Sequence, residues 1–232
     1  MLILKFGGSV LKEASQVLKI IREELKVHKK LIIITSAIGR YPDPYATDTL
    51  LLRGKNLEQS DLAELVSCGE IISGTSLVNY LRKNRINAVF KSVYDLNLTF
   101  DNDLHLQKEL FLDHEVTVIP GFIALKQGRL FLLPRGGSNL TAVFFADYFR
   151  CNLMIISDTD GIYEHNPQEK LSVKLSVVSI ASLATIIMES PRIFPFEVIK
   201  YLKRETFVIL YRNLESKNGS LIGNFFKNAL LK

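Results

Sequence analysis

Leu2-Ile3-Leu4-Lys5-Phe6-Gly7-Gly8-Ser9 opens the chain with a short apolar run, interrupted by one lysine and closed by two glycines. A run this short and this apolar reads as a strand buried on both faces, the kind found in parallel sheets. The glycines let the chain turn tightly and bring backbone N–H groups close to an anion, with Lys5 adding a point charge. The same residues also describe an ordinary turn beside a solvated lysine. The stretch therefore announces a sheet before it announces any chemistry.

Working outward, short β-branched runs alternate with longer helical patterns. Strands are expected at Leu2-Phe6, Leu31-Thr35, Ala88-Ser92, Val116-Pro120, Arg129-Leu133, Leu153-Ser157 and Phe207-Tyr211. Apolar residues at three- and four-residue spacing predict helices over Glu13-His28, Asp61-Lys83, His105-Leu112, Leu140-Arg150, Ile180-Met188 and Pro195-Lys203. This alternation is the pattern of an α/β fold with a mostly parallel sheet covered on both faces. The segment Arg40-Tyr45, with Pro42 and Pro44, is expected to be an ordered surface excursion. At 232 residues, with no linker or repeat, residues 1–232 are expected to form a single domain.

The longest apolar runs are strand-sized and far shorter than the ~20 residues of a membrane span. With no signal-peptide pattern at Met1, a cytoplasmic protein without membrane contact is expected. Twenty-nine Lys and Arg against 24 Asp and Glu give a net charge of +5, but the cations are scattered over helix faces. No basic stripe with interleaved aromatics is present, so no nucleic-acid partner is expected. Cys68 and Cys151 lie in apolar segments without metal-ligand spacing and are expected to be buried free thiols.

Pro134-Arg135-Gly136-Gly137-Ser138-Asn139 repeats the glycine device between a strand and a helix, where the helix N-terminus favours negative charge and Arg135 can grip a carboxylate with two parallel hydrogen bonds. Neither glycine loop has the spacing of a Walker A motif, so a P-loop enzyme is excluded. Ser157-Asp158-Thr159-Asp160-Gly161-Ile162-Tyr163 follows another buried strand, where open α/β sheets place ligands. Its acidic groups suit ribose hydroxyls or hydrated Mg²⁺, and equally a turn braced by its own side chains. Glu70 stands in an otherwise apolar helical stretch from Leu62 to Val78, where an ionised carboxylate is unfavourable without a partner.

These motifs, with Thr35-Ser36-Ala37-Ile38-Gly39-Arg40, Tyr45-Ala46-Thr47-Asp48, Ser67-Cys68-Gly69-Glu70 and Pro120-Gly121-Phe122, occur in an order that resembles the catalytic domain of the aspartate kinases, in the amino acid kinase family. The resemblance runs along about the whole chain. It implies a three-layer α/β/α sandwich, ATP and Mg²⁺ as cofactors, and phosphoryl transfer to the side-chain carboxylate of L-aspartate on the way to lysine, threonine and methionine. It further implies a homodimer. The regulatory domains usual in that family are expected to be missing after Lys232, and with them feedback by lysine or threonine through such a domain.

Residue by residue, the resemblance puts Lys5, Gly8 and Ser9 at the transferring phosphoryl group. Ser36, Thr47, Glu70, Arg135 and Ser138 fall on the amino-acid substrate, Glu70 taking its ammonium and Arg135 its α-carboxylate. Gly7, Ser157, Asp158, Asp160, Tyr163 and Arg192 fall on the nucleotide. The metal ligands are left unassigned. The sequence departs from the family pattern at Asn139, where an aspartate is usual, at Asn166 and Gln168, where an aspartate and an arginine are, and around Arg192, in a segment one residue shorter than the pattern with its phosphate-binding lysine. A slow kinase is therefore expected, with Asn139→Asp and Gln168→Arg raising turnover. The same changes keep open a kinase for another small carboxylate or carbamate, and an impaired sensor or subunit.

Overall fold

The computed structural model describes residues 1–108, 110, 112–165, 172–189 and 193–223. In chain order the elements are β1 (Leu2–Phe6), α1 (Gly8–Leu11), α2 (Ala14–Leu25), β2 (Leu31–Thr35), α3 (Thr47–Arg53), α4 (Gln59–Lys83), β3 (Ala88–Phe90), α5 (Val93–Leu96), β4 (Leu98–Phe100), β5 (Leu104–Leu106), β6 (Val116–Pro120), β7 (Ile123–Lys126) and β8 (Arg129–Leu132). They continue with α6 (Gly137–Phe149), β9 (Leu153–Ile156), β10 (Ile162–Tyr163), β11 (Lys174–Leu175), β12 (Val177–Val178), α7 (Ile180–Glu189), α8 (Val198–Leu202), β13 (Ile209–Arg212) and β14 (Ser220–Ile222).

The central sheet runs in the order β12-β14-β13-β9-β1-β2-β6-β3. Every neighbouring pair in it is parallel except β13 with β14. Because successive side chains of a strand point to opposite faces, β1 sends Ile3 into one core and Leu2, Leu4 and Phe6 into another. Ile32 and Ile34 of β2 join the first core, packed with Leu140, Val143 and Phe145 of α6, while Leu31 and Ile33 join the second, packed with Val17 and Ile21 of α2 and Leu77 and Leu81 of α4. Helices thus cover both faces of the mostly parallel sheet, as expected. No described helix is long and apolar enough to cross a membrane.

A second sheet, in the order β5-β4-β7-β8, corrects two expectations. The run Arg129-Leu133 forms β8, which pairs antiparallel with β7 outside the central sheet. The described residues of the span His105-Leu112 are not helical as expected: Leu104, His105 and Leu106 form β5 against β4. Buried Leu104, exposed His105 and half-buried Leu106 follow a two-residue period, and the Leu104 amide donates to the Tyr201 hydroxyl of α8 at 3.2 Å. Both cysteines are free thiols as expected, but neither is buried: Cys68 is exposed on α4 and Cys151 is half-buried.

Candidate active site

Parallel strands deliver the loops that follow β9, β1, β2 and β6 to one edge of the sheet, the crevice where such sheets take ligands. Gly7 closes β1 with its amide on the Ile156 carbonyl at 2.9 Å, beside the start of the Ser157–Tyr163 turn. At Gly8 the chain passes so near the loop after β2 that a Cβ would lie 2.3 Å from the Ala37 carbonyl oxygen and 2.7 Å from that of Gly39. The Gly39 amide donates to the Gly8 carbonyl at 2.8 Å, which fastens the two loops together. Ser9 follows in the first turn of α1, half-buried.

Lys5 sits beneath these loops, buried within β1. Burial lowers its pKa to about 8, while Glu70 and Asp158 pull it back up. Glu70 comes from α4, the 25-residue helix whose first turn carries Asp61 and whose last turn carries Arg82 and Lys83, charges that complement its dipole. Among the buried residues of α4 are Ala63, Val66, Leu77 and Leu81, and in their midst the polar Ser67, Glu70 and Ser73. Burial raises the Glu70 pKa to about 8, against the pull of the Ala37 amide and Lys5. That amide faces the carboxylate but falls short of hydrogen-bond geometry, and both carboxylate oxygens are buried without a partner. One turn on, Ser73 accepts the neighbouring Ile38 amide at 2.7 Å and donates to the Gly69 carbonyl at 2.8 Å, so α4 holds the loop carrying Ser36.

Ser36 donates to Ser138 at 3.1 Å. A Cβ on Gly121 would lie 2.7 Å from that of Ser138, so the loop after β6 reaches the same point. Thr47 opens α3, half-buried. Arg135 is less engaged: its side chain is 72% exposed, and its nearest carboxylate, on Asp48, is 3.9 Å away.

On the other side, the turn after β9 is braced by its own side chains. Ser157 donates to Asp158 at 2.9 Å. Tyr163 and Lys174 donate to the two oxygens of Asp160, each at 2.8 Å. The Lys174 hydrogen bond, then that of Tyr163, holds the Asp160 carboxyl below the usual range. Lys5, Gly7, Gly8, Ser36, Glu70, Ser138, Ser157 and Asp158 therefore gather at one edge. Arg192 lies outside the described residues, as does Gln168.

Two findings depart from the residue-level expectations. Asn139 is not an idle substitute for an acid: its Nδ2 donates to the Ile193 carbonyl at 2.5 Å, tying the start of α6 to the segment before α8. Arg40, given no role from sequence, pairs with Asp158 and so crosses from the loop after β2 to the turn after β9. Its only sequence signal is a cation next to Gly39, because its partner stands 118 positions away.

Residues 1–193 match the Amino acid kinase family. The chain belongs to this family. Within it, aspartokinase 1 of Bacillus subtilis is 25% identical over 240 residues, which cover 94% of this chain and 59% of the relative. The aspartokinase of Rickettsia conorii is 30% identical over 190 residues, covering 72% of this chain and 46% of the relative. The chain thus spans well under two thirds of the length of these relatives. Among solved structures, aspartate kinase from Synechocystis matches with a TM-score of 0.80 at 19% identity, covering 96% of this chain and 40% of that one. E. coli aspartokinase III in complex with aspartate and ADP matches with a TM-score of 0.79 at 18% identity, covering 97% of this chain and 64% of that one. An isopentenyl phosphate kinase in its substrate complex follows at 0.65 and 13% identity, covering 96% of this chain and 100% of that one, so this amino acid kinase fold alone does not choose the acceptor.

Proposed function

We propose that the chain transfers the terminal phosphoryl group of ATP to a small carboxylate, with the side-chain carboxylate of L-aspartate as the acceptor and aspartyl phosphate as the product. The observation that carries the amino-acid part is Glu70, fully buried with neither carboxylate oxygen hydrogen-bonded, on the helix that holds the loop carrying Ser36. An unpaired buried carboxylate is unfavourable, and the ammonium of an amino acid supplies its missing partner. The acceptor carboxylate is ionised at neutral pH and needs no general base. What the chain contributes is positioning and positive potential: Lys5 toward the transferring group, Ser36, Thr47 and Ser138 as polar contacts, and Arg135 closing on the α-carboxylate from solvent.

Gly7, Ser157, Asp158, Asp160 and Tyr163 form the nucleotide side of this proposal, with Arg192 as a further phosphate cation. No group of three or more His, Cys, Asp or Glu stands together among the described residues in a metal-holding arrangement. Asp158 and Asp160 are each engaged by a cation. These residues do not make a metal cage of their own, so Mg²⁺ belongs to this reading as part of the substrate Mg-ATP, held through the phosphates. A single domain over residues 1–232, a cytoplasmic setting and a homodimer complete the proposal, the last checked by light scattering on the purified chain.

The test is ADP release over a panel of carboxylates, with hydroxylamine to trap any acyl phosphate. Hydroxamate formed with aspartate supports the reading. Turnover with a carboxylate lacking an ammonium group, and none with aspartate, would move the acceptor to another small carboxylate. Exposed Arg135 favours that second reading, because the substrate-side cation is not held in a fixed position by its neighbours.

A further inference from the structure

We infer that Arg40 is a phosphate-binding residue, exchanging its contact with Asp158 for the polyphosphate of the bound nucleotide. The inference rests on the nucleotide-site reading given above and adds to it a residue to which neither sequence nor kinship assigned a role.

The backbone around Arg40 is fixed independently of its side chain. Gly39 adopts a φ of +90° and is bonded to Gly8 through its amide. The Arg40 amide donates to the Asp43 carboxylate at 3.1 Å, and the Arg40 carbonyl accepts the Asp43 amide at 2.6 Å. Lys12, just past α1, donates to the same Asp43 oxygen at 3.0 Å. A Cβ on Gly39 would lie 2.4 Å from the Asp43 carboxylate, so the turn is packed as well as bonded. Arg40 is thereby anchored directly beside the Gly7-Gly8 turn.

Its head group is not anchored in the same sense. The Arg40 side chain is 65% exposed and that of Asp158 is 43% exposed. An ion pair so open to water contributes little to stability, and the loop it would brace is already held by Gly8 and Asp43. The placement of the guanidinium therefore needs another reason. Crossing from the loop after β2 to the turn after β9, it passes over the end of β1, which carries Lys5 and lies between those strands in the sheet. A guanidinium offers a planar set of donors that matches phosphate oxygens, and its bond to a multiply charged phosphate is stronger than an exposed bond to one carboxylate. A nucleotide whose phosphates lie at the Gly7-Gly8 turn takes Arg40 from Asp158 and leaves that carboxylate to its Ser157 contact.

The test is calorimetric titration of ATP and of adenosine into the wild-type chain, Arg40→Ala and Arg40→Lys, with melting curves to verify folding. Arg40→Ala should weaken ATP binding about tenfold or more while changing adenosine binding by less than about twofold, as expected for loss of a charged hydrogen bond to phosphate alone. Arg40→Lys should recover part of the loss, since it keeps the charge without the fork. Unchanged ATP binding in Arg40→Ala, or equal weakening of ATP and adenosine, would overturn the inference while leaving the nucleotide site standing. A wild-type chain that binds adenosine and ATP equally would also overturn it, and one that binds neither would remove the nucleotide site itself.

Discussion

Replacing Glu70 by Gln should make the protein more stable and less able to bind its amino acid. In the fold the carboxyl is raised from 4.5 to about 8, chiefly by burial. A group whose pKa is raised on folding binds its proton more tightly in the native state, so its contribution is fully present below pH 4.5 and is lost as pH rises toward 8. The slope is about 1.4 kcal/mol per pH unit, which amounts to ~3 kcal/mol by pH 7. Lys5 runs the other way, because its lowered pKa makes the native state gain stability from about 8 up to 10.5. The combined contribution of these two groups should therefore be lowest near pH 8. Gln has the shape of the protonated acid and carries no charge, so urea denaturation should find the two proteins alike at pH 4.5. At pH 7 the variant should be the more stable by ~3 kcal/mol, or roughly 5–10 °C in Tm. Aspartate binding should fall at the same time, with ATP binding unchanged. A variant no more stable than wild type at pH 7 would mean that Glu70 is ionised and well paired in the fold, and the ammonium-receptor reasoning would fail with it.

Asn139→Asp should not raise turnover. It removes the donor to the Ile193 carbonyl and sets a carboxylate against that oxygen, so a loss of ~1–3 kcal/mol in denaturant stability is expected, and a faster, equally stable variant would count against this structural role. Gly8→Ala should disturb the whole edge, since its Cβ would need the Ala37 and Gly39 carbonyls to retreat; a lower Tm together with weaker ATP binding is the expected outcome, and an unchanged Tm would show that the loop yields freely. Arg135→Ala should weaken aspartate binding by about tenfold or more and ATP binding little, while leaving Tm within a degree or two because the side chain is mostly in solvent. Equal loss of both ligands would give Arg135 to the phosphates instead.

Central strands were the most legible part of the fold. Leu2–Phe6, Leu31–Thr35 and Val116–Pro120 are buried at every position, and such runs have one reading whatever packs on them. Of the second sheet only β8 was legible as a strand, though not its separate sheet; β4, β5 and β7 are three or four residues long, too short for a period to show. At Leu104–Leu106 a leucine pattern compatible with a helix was overruled by pairing with β4 and by the Tyr201 hydroxyl, a partner 97 residues away. The seven-residue α3 was hidden for a similar reason: its signal, Asp48 in the first turn and Arg53 in the last, is carried by few residues after a proline-rich loop.

The candidate site divides along the same physical line. Lys5 and Glu70 were visible because each breaks a pattern, a cation inside a buried strand and an acid on the buried face of a helix, and local violations of this kind are what a sequence reading looks for when it nominates a site. Both prove to be buried with displaced pKa values, so the sequence anomaly and the electrostatic anomaly are one fact seen twice. Arg40 and Asn139 break no pattern. An arginine on a surface loop and an asparagine near a helix start are ordinary residues, and what sets them apart is the partner each reaches across the fold, Asp158 for one and the Ile193 carbonyl for the other. Anomalous burial can be read along a chain, whereas a contact between loops exists only after β9, β1 and β2 have been laid side by side. It follows that the groups left to find at this edge are the exposed, unremarkable ones whose neighbours come from another strand.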